Sequence, residues 1–294
     1  MLLFTSAILL IIAFDLKKHR QNFSLKDSIR ESILWVVLAL AFNVFIYFTQ
    51  GQAPAFNFLS TYLLEKALSI DNLFIFHTLF QMFNLTISEQ HRCLIWGVLG
   101  AFFFRAVLIL VGVSMLESFS SISYILGAFL AYTAYQMAIH PPSSEVKDFA
   151  LLNFLKRKLP VTEEKAEGQF LVKEKGSWKV TPLLLCLILV EATDILFAID
   201  SIPAALAISK DPFIIYTANV FAILGLRSLY FVVSQAVQSF YYLHHTLSFI
   251  LAFIAVKLLI AQIYHIPPSI TLGIIATSFT IGIIASIRHK KESS

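Results

Sequence analysis

Residues 180–207, VTPLLLCLILVEATDILFAIDSIPAALA, make an apolar run of membrane-spanning length that nevertheless holds three carboxylates, Glu191, Asp194 and Asp200. About 20 apolar residues cross a bilayer as a helix, so the run reads as a transmembrane helix. An ionisable group inside one costs at least a few kcal/mol and points to a functional site. An earlier stretch repeats the theme. In Glu65-Lys66-Ala67-Leu68-Ser69-Ile70-Asp71-Asn72 an acid stands six residues before an Asp that is followed by a small polar residue, as Asp194 stands before Asp200 and Ser201. The five acids predict a polar centre inside a membrane protein.

The rest of the chain fits that class. Of 294 residues, 58% are hydrophobic and 14% charged, and the mean hydropathy is +0.78. An all-α, polytopic transmembrane bundle follows. Nine spans are expected, over residues 2–14, 33–49, 58–80, 93–113, 119–139, 180–207, 213–233, 246–263 and 269–287. The first is short, yet no basic residue precedes its apolar run and no small-residue cleavage site follows, so a retained helix is expected.

Loop charges orient the bundle. Of the 22 Lys and Arg, seventeen fall in segments 15–32, 81–92, 140–179, 234–245 and 288–294, which share one side of a nine-span protein. Lys210 alone falls on the other side, and Lys66, Arg105, Arg227 and Lys257 lie within spans. Basic loops stay in the cytoplasm, which places the N-terminus outside and the C-terminus inside. Trp35, Trp96 and Trp178 fall near the cytoplasmic starts of their spans, as interfacial anchors do. The net charge of +4 is therefore a signal of topology and of contact with the lipid bilayer, with no nucleic-acid partner.

Five regions result: two N-terminal helices (1–57), a three-helix unit (58–139), a cytoplasmic loop (140–179), a second three-helix unit (180–263), and a last helix with its tail (264–294). The loop contains Pro141-Pro142, the basic Lys156-Arg157-Lys158 and the acidic Glu163-Glu164, and reads as a solvated, partly helical linker. Cys93 and Cys186 read as reduced packing residues. Each three-helix unit carries its acids in the first span and an arginine, Arg105 or Arg227, in the second. With three spans apiece the units enter the membrane from opposite sides, giving an inverted repeat with a midplane site.

At about 100° per residue, Glu65, Ser69 and Asn72 share a stripe, as do Glu191, Asp194, Ala198 and Ser201, while Asp71 and Asp200 each stand about 120° away. One straight helix cannot aim all its acids at one point. Pro203 predicts a helix break that frees the Ile199 carbonyl beside Asp200. The spans hold five acids against four bases, Lys66, Arg105, Arg227 and Lys257. The arginines either pair with the acids as buried salt bridges or leave them available to a cation. Carboxylates with Asn72, Ser201 and carbonyl oxygens suit hard divalent ions such as manganese, magnesium or calcium, and the lack of clustered Cys and His argues against zinc or copper. His77 is isolated.

Four motifs, Glu65 to Phe74, Trp96-Gly97-Val98-Leu99-Gly100-Ala101 with Arg105, Glu191 to Ala204, and Asn219 to Arg227 with Leu229-Tyr230-Phe231, closely resemble the TerC family of integral membrane proteins. The resemblance runs from about Asp15 to Lys257. It implies an exporter built on duplicated three-helix units, in a family named for tellurite resistance whose alkali-induced members are implicated in manganese export. Glu65, Asp71, Glu191, Asp194 and Asp200 would then be the metal-pathway acids, with Lys66, Arg105 and Arg227 as their charge partners.

The expected function is export of a divalent cation, foremost manganese, across a bacterial-type inner membrane by alternating access, with proton antiport as a plausible coupling. No tightly bound cofactor is expected, and there is no Walker P-loop for ATP hydrolysis. Two rivals belong to other classes. A non-transporting membrane partner could serve stress responses or protein insertion. An intramembrane aspartyl protease would leave Glu191 and Asp194 without a role and lacks its Gly-x-Gly-Asp signature. The sequence specifies no oligomeric state.

Overall fold

The computed structural model describes residues 25–118, 122–139, 150–162, 168–174, 176–235, 242–261, 263–264 and 266–292. The span expected over 2–14 lies outside the described residues, as do Pro141-Pro142 and Glu163-Glu164 of the loop. Ten helices and one hairpin make up the described part: α1 (Leu25–Gln50), α2 (Gln52–Met82), α3 (Ile87–Ser118), α4 (Ile122–Ile139), α5 (Ala150–Lys158), β1 (Leu171–Glu174), β2 (Ser177–Val180), α6 (Pro182–Ile208), α7 (Pro212–Leu224), α8 (Leu226–Gln235), α9 (Leu243–Ile260) and α10 (Pro268–Glu292).

Helix starts follow local chemistry. Thr181 caps α6 by accepting from Leu184 N at 3.3 Å, with Pro182 in the first turn, where its missing N–H costs nothing. Asp211 and Pro212 open α7 in the same way, Asp211 Oδ1 accepting from Phe213 N at 2.8 Å. Ahead of α3, Thr86 and Glu89 form a capping box, with Thr86 N donating to Glu89 Oε2 at 2.9 Å and Glu89 N donating to Thr86 Oγ1 at 3.4 Å. Gly51, at φ 96°, turns the chain between α1 and α2 in a conformation that favours glycine.

Five of the helices, α1, α3, α4, α6 and α10, are long and apolar enough to cross a membrane. A sixth span counts if α7 and α8 are one, but they meet at a 45° bend. The segment expected to span over 213–233 is thus a bent helix pair, in the manner of a broken span or a re-entrant loop. The break falls at Gly225, where a side-chain carbon would lie 2.7 Å from Lys66 Nζ and 3.2 Å from Trp35 Cβ. The break expected at Pro203 is not seen, since α6 runs on through it as one helix. Pro203 is buried in that helix's packed face.

α2 runs through the centre and packs against α1, α6, α7, α8 and α10. α2 packs on α7 as α6 packs on α3, and α2 also packs on α6. α4 and α9 form the most extensive helix pair. They are antiparallel, with Ser248 Oγ donating to Ala134 O at 2.7 Å and Gly127 set against Leu259. At one end Phe42, Phe58, Phe213 and Phe221 bring α1, α2 and α7 together. At the other, Leu73, Phe80, Cys93, Cys186 and Tyr230 join α2, α3, α6 and α8. The outer face of α1 is apolar and open, with Ile33, Val37, Val44 and Phe48 exposed, as a lipid-facing helix requires.

The loop contains more order than a solvated linker. β1 and β2 pair antiparallel with Leu171 opposite Val180, and Gly176, at φ 84°, lies in the turn between them. The hairpin is held to the start of α3, where Arg92 Nη1 donates to Gly168 O and Gly168 N donates to Glu89 Oε1 at 3.4 Å. A 520 Å³ cavity is lined jointly by Asn84 at the end of α2, Arg92, Gly168 and the Pro182–Leu183 start of α6. The end of α2 therefore lies beside the beginning of α6, and the two helices run antiparallel.

Candidate functional site

Arg105 is the centre of the polar interior. It stands on α3 with 2% exposure and touches three other helices. Its Nη1 donates to Glu65 Oε2 of α2 at 2.6 Å and to Asn219 Oδ1 of α7 at 2.6 Å. Its Nη2 and Nε donate to Asp194 Oδ1 and Oδ2 of α6 at 3.0 and 3.3 Å, a two-pronged grip that fits a planar carboxylate. Asn219 Nδ2 closes the ring by donating to Glu65 Oε1 at 2.8 Å. Glu65 is 0% and Asp194 8% exposed. With both acids ionised, two negative charges face one positive, so the cluster carries an excess negative charge.

Glu191 stands one turn before Asp194 on α6 and adds a further acid. Its Oε2 is buried without a hydrogen-bond partner. Gly100 of α3 makes room for it, because a side-chain carbon there would overlap the Glu191 carboxylate. Beside Asp194 lies a cavity of about 20 Å³ whose other walls include Gly97, Val98, Ala101, Val190 and Ile223. That is room for about one water molecule or a bare ion, and too little for an ion with its full hydration shell.

The other residues singled out in the sequence are distributed more widely. Asn72 and Ser69 are buried on α2, and Ser201 on α6, at 3%, 1% and 2% exposure. Asp200 is half-buried and accepts from Thr133 Oγ1 of α4 at 3.3 Å, apart from the arginine cluster. Asp71 lies on α2, and its side chain is outside the described residues. Arg227 pairs with Glu31 of α1 at 3.6 Å. Lys66 points away from the acids, donating to the Ala222 carbonyl in the last turn of α7 at 3.1 Å. A helix C-terminus carries partial negative charge and unpaired carbonyls, so an ammonium group suits that position. His77 Nδ1 lies 3.4 Å from Tyr230 Oη, whose hydroxyl donates to Gln90 Oε1 at 3.1 Å.

Among the described residues, no three of His, Cys, Asp and Glu stand together as a ready-made metal site. The guanidinium of Arg105 occupies the space between the two best-placed acids. Asn219 was not singled out as a site residue in the sequence. Its signal was an amide in the middle of the apolar run 213–233.

The comparisons with known proteins agree with this architecture. A family model described as "Integral membrane protein TerC family" matches residues 50–294. A membrane protein of Myxococcus xanthus is 39% identical over 99% of this chain and 93% of its own length. The Escherichia coli K12 protein named "Putative membrane-bound redox modulator Alx" is 38% identical over 98% of this chain and 95% of its own. The Arabidopsis thaliana "Thylakoid membrane protein TERC, chloroplastic" is 36% identical over 95% of this chain and 73% of its own. No solved structure matches. A multi-pass helical protein whose sequence matches one family model from Gln50 to Ser294 belongs to that family, the integral membrane protein TerC family.

Proposed function

We propose that this protein is a membrane transporter that exports a divalent metal cation, manganese foremost, through the acids gathered around Arg105. One observation carries the reading. Two buried carboxylates on different helices, Glu65 and Asp194, are held by a single buried guanidinium, with a third acid, Glu191, one turn away and unpartnered. Arg105 acts as a tethered cation. It balances the acids when no ion is bound and withdraws when a metal takes its place, with Glu191 one turn away; Asn72 and Ser201 lie about 10 Å from these acids along their helices, on opposite flanks, and line the route on either side. Asp71 and Asp200 lie further along the route on α2 and α6. Proton antiport supplies the return step.

The packing of α2 on α7 and of α6 on α3, together with the α2–α6 and α4–α9 pairs, supports an inverted repeat in which α2, α3 and α4 correspond to α6, α7–α8 and α9. The basic-loop asymmetry supports an outside N-terminus and a cytoplasmic C-terminus in a bacterial-type inner membrane. The family's name does not make tellurite the cargo. An excess of carboxylates repels an oxyanion and attracts a divalent cation.

The test is flux through the purified protein in liposomes. The parent moves manganese, Asp194→Asn does not, and neither shows saturable tellurite transport. Tellurite flux that survives Asp194→Asn, without manganese flux in the same vesicles, rejects the reading.

A second reading, a non-transporting membrane partner in stress response, has one specific observation in its favour. Cys93 of α3 and Cys186 of α6 are both fully buried and share one core cluster. They tie together the two helices that bear Arg105 and Asp194, and relatives carry the name of a membrane-bound redox modulator. Under that reading Cys93→Ser with Cys186→Ser removes the cellular phenotype while manganese flux through the parent is absent.

A further inference from the structure

Asn219 stands at 1% exposure in the middle of α7, and both ends of its amide are used. Its Nδ2 donates to Glu65 Oε1 at 2.8 Å, and its Oδ1 accepts from Arg105 Nη1 at 2.6 Å. Chemistry fixes that orientation, because an ionised carboxylate only accepts and a guanidinium only donates. Glu65 therefore turns the amide so that its oxygen faces the place where positive charge sits.

That place is already walled by oxygen. Glu65 Oε2 and Asn219 Oδ1 both lie 2.6 Å from the one nitrogen Nη1, while Asp194 Oδ1 and Oδ2 lie 3.0 and 3.3 Å from Nη2 and Nε. Four oxygens from three helices thus surround a single cationic group. A calcium ion takes its oxygens at about 2.3–2.6 Å, so a divalent ion standing where Nη1 stands needs little movement of the Glu65 and Asn219 oxygens. Asp194 has further to close. Charge makes the amide a fitting partner for the two acids. Glu65 and Asp194 together carry the two negative charges that balance a divalent ion, and an amide oxygen adds a donor without adding a third charge. Carbonyl oxygens suit magnesium, calcium and manganese, whereas softer ions prefer sulfur.

We propose that Asn219 is a cation ligand: its Oδ1, which accepts from Arg105 in this structure, binds the divalent ion when the guanidinium withdraws, and so favours hard, oxygen-seeking ions over thiophilic ones. The assignment rests on the reading of the Glu65–Arg105–Asp194 cluster as a cation site. It does not require that the ion be carried across the membrane. It adds α7, the helix that ends at the Gly225 break, to those that hold the ion.

The test separates binding from transport. Manganese and cadmium binding are measured by equilibrium dialysis on the purified full-length protein in detergent, and manganese flux is followed with the same preparations in liposomes. Asn219→Ala is expected to weaken manganese binding at least about tenfold, the low end of what losing a group that merely supports a metal ligand costs. Asn219→Cys exchanges a hard oxygen for a soft sulfur, so manganese weakens while cadmium tightens. Thr217→Cys, on the same helix with its hydroxyl donated to Phe213 O, keeps the parent's preference between the two metals. Asn219→Asp, of nearly the same size, keeps an oxygen in place and adds a charge, and it is expected to hold manganese at least as tightly as the parent; it decides the matter where Asn219→Cys does not fold. An amide that only braces Arg105 gives a different pattern. Asn219→Cys then weakens both metals alike, and Asn219→Asp binds manganese no better than Asn219→Ala; either result, or a parent that binds no manganese, overturns the assignment. A cadmium switch in Asn219→Cys with no manganese flux through the parent upholds it and rejects the transport reading.

Discussion

Replacing Arg105 by Gln separates a structural salt bridge from a tethered cation. The substitution removes the positive group bonded to Glu65 and Asp194, with two bonds to Asp194, one to Glu65 and one to Asn219. Both carboxylates stay where they are, at 0% and 8% exposure. Removing one partner of a buried ion pair costs about 3–5 kcal/mol, because the other charge is left uncompensated. A loss of that size lowers the unfolding midpoint by on the order of 10 °C. If the acids form a cation site, a divalent ion can take the vacated place. At a concentration about 100 times its dissociation constant it returns about 2.7 kcal/mol, most of the loss. The assay is thermal unfolding in detergent, followed by tryptophan fluorescence, with and without manganese. Arg105→Gln is expected to melt early without metal and to be rescued by manganese, more strongly than the parent and more strongly than Arg105→Gln combined with Asp194→Asn. A variant that melts early and ignores manganese would refute the reasoning, leaving Arg105 as a strut.

Gly225→Ala places a side-chain carbon 2.7 Å from Lys66 Nζ and 3.2 Å from Trp35 Cβ, and crowding of this kind costs about 1–3 kcal/mol. The variant is expected to melt earlier than the parent, and Lys66→Ala in the same chain to recover part of the difference; unchanged melting removes the steric account of the helix break. Ser177→Cys, exposed on β2, should be labelled by an impermeant thiol reagent in inverted vesicles and not in intact cells. Labelling from outside overturns the orientation read from the basic loops.

Apolar runs of membrane length were legible because a helix in lipid satisfies its own backbone and leaves the side chains to announce the environment. For the same reason Glu65, Arg105 and Asp194 stood out, as charges where charges are costly. The sequence left open whether Arg105 would meet those acids or others, and only the fold decides that, by packing both α2 and α3 on α6. Asn219 escaped because a tally of charges overlooks an amide, although it bonds both Glu65 and Arg105. Arg227 was counted with the central acids, yet its partner Glu31 belongs to α1, in a stretch assigned to a loop.

The two helix breaks show the difference between local and distant causes. Pro203 is a local signal, and the packing around α6 overrides it. Gly225 stands at a break where Trp35 and Lys66, from other helices, come so close that a side-chain carbon would crowd them. No pattern of spacing within 213–233 announces that crowding. The hairpin was hidden in another way, because four-residue strands are too short for alternation to show against the charged composition of the loop.

The arginine cluster also bears on how the chain enters the membrane during synthesis. α2 carries Glu65, Lys66 and Asp71 and is absent from the helices apolar enough to cross alone. Each such charge near the middle of a span costs an inserting helix about 2.5–3.5 kcal/mol. Glu65 therefore needs its counter-charge early, and Arg105 comes on the very next helix, across a short turn. Asp194 and Asn219 arrive much later, when α6 and α7 are made, and must find a guanidinium already engaged. Assembly then proceeds by enlarging one ion pair into a four-helix junction, so the residue that holds the finished bundle together is also the one that admits its central helix.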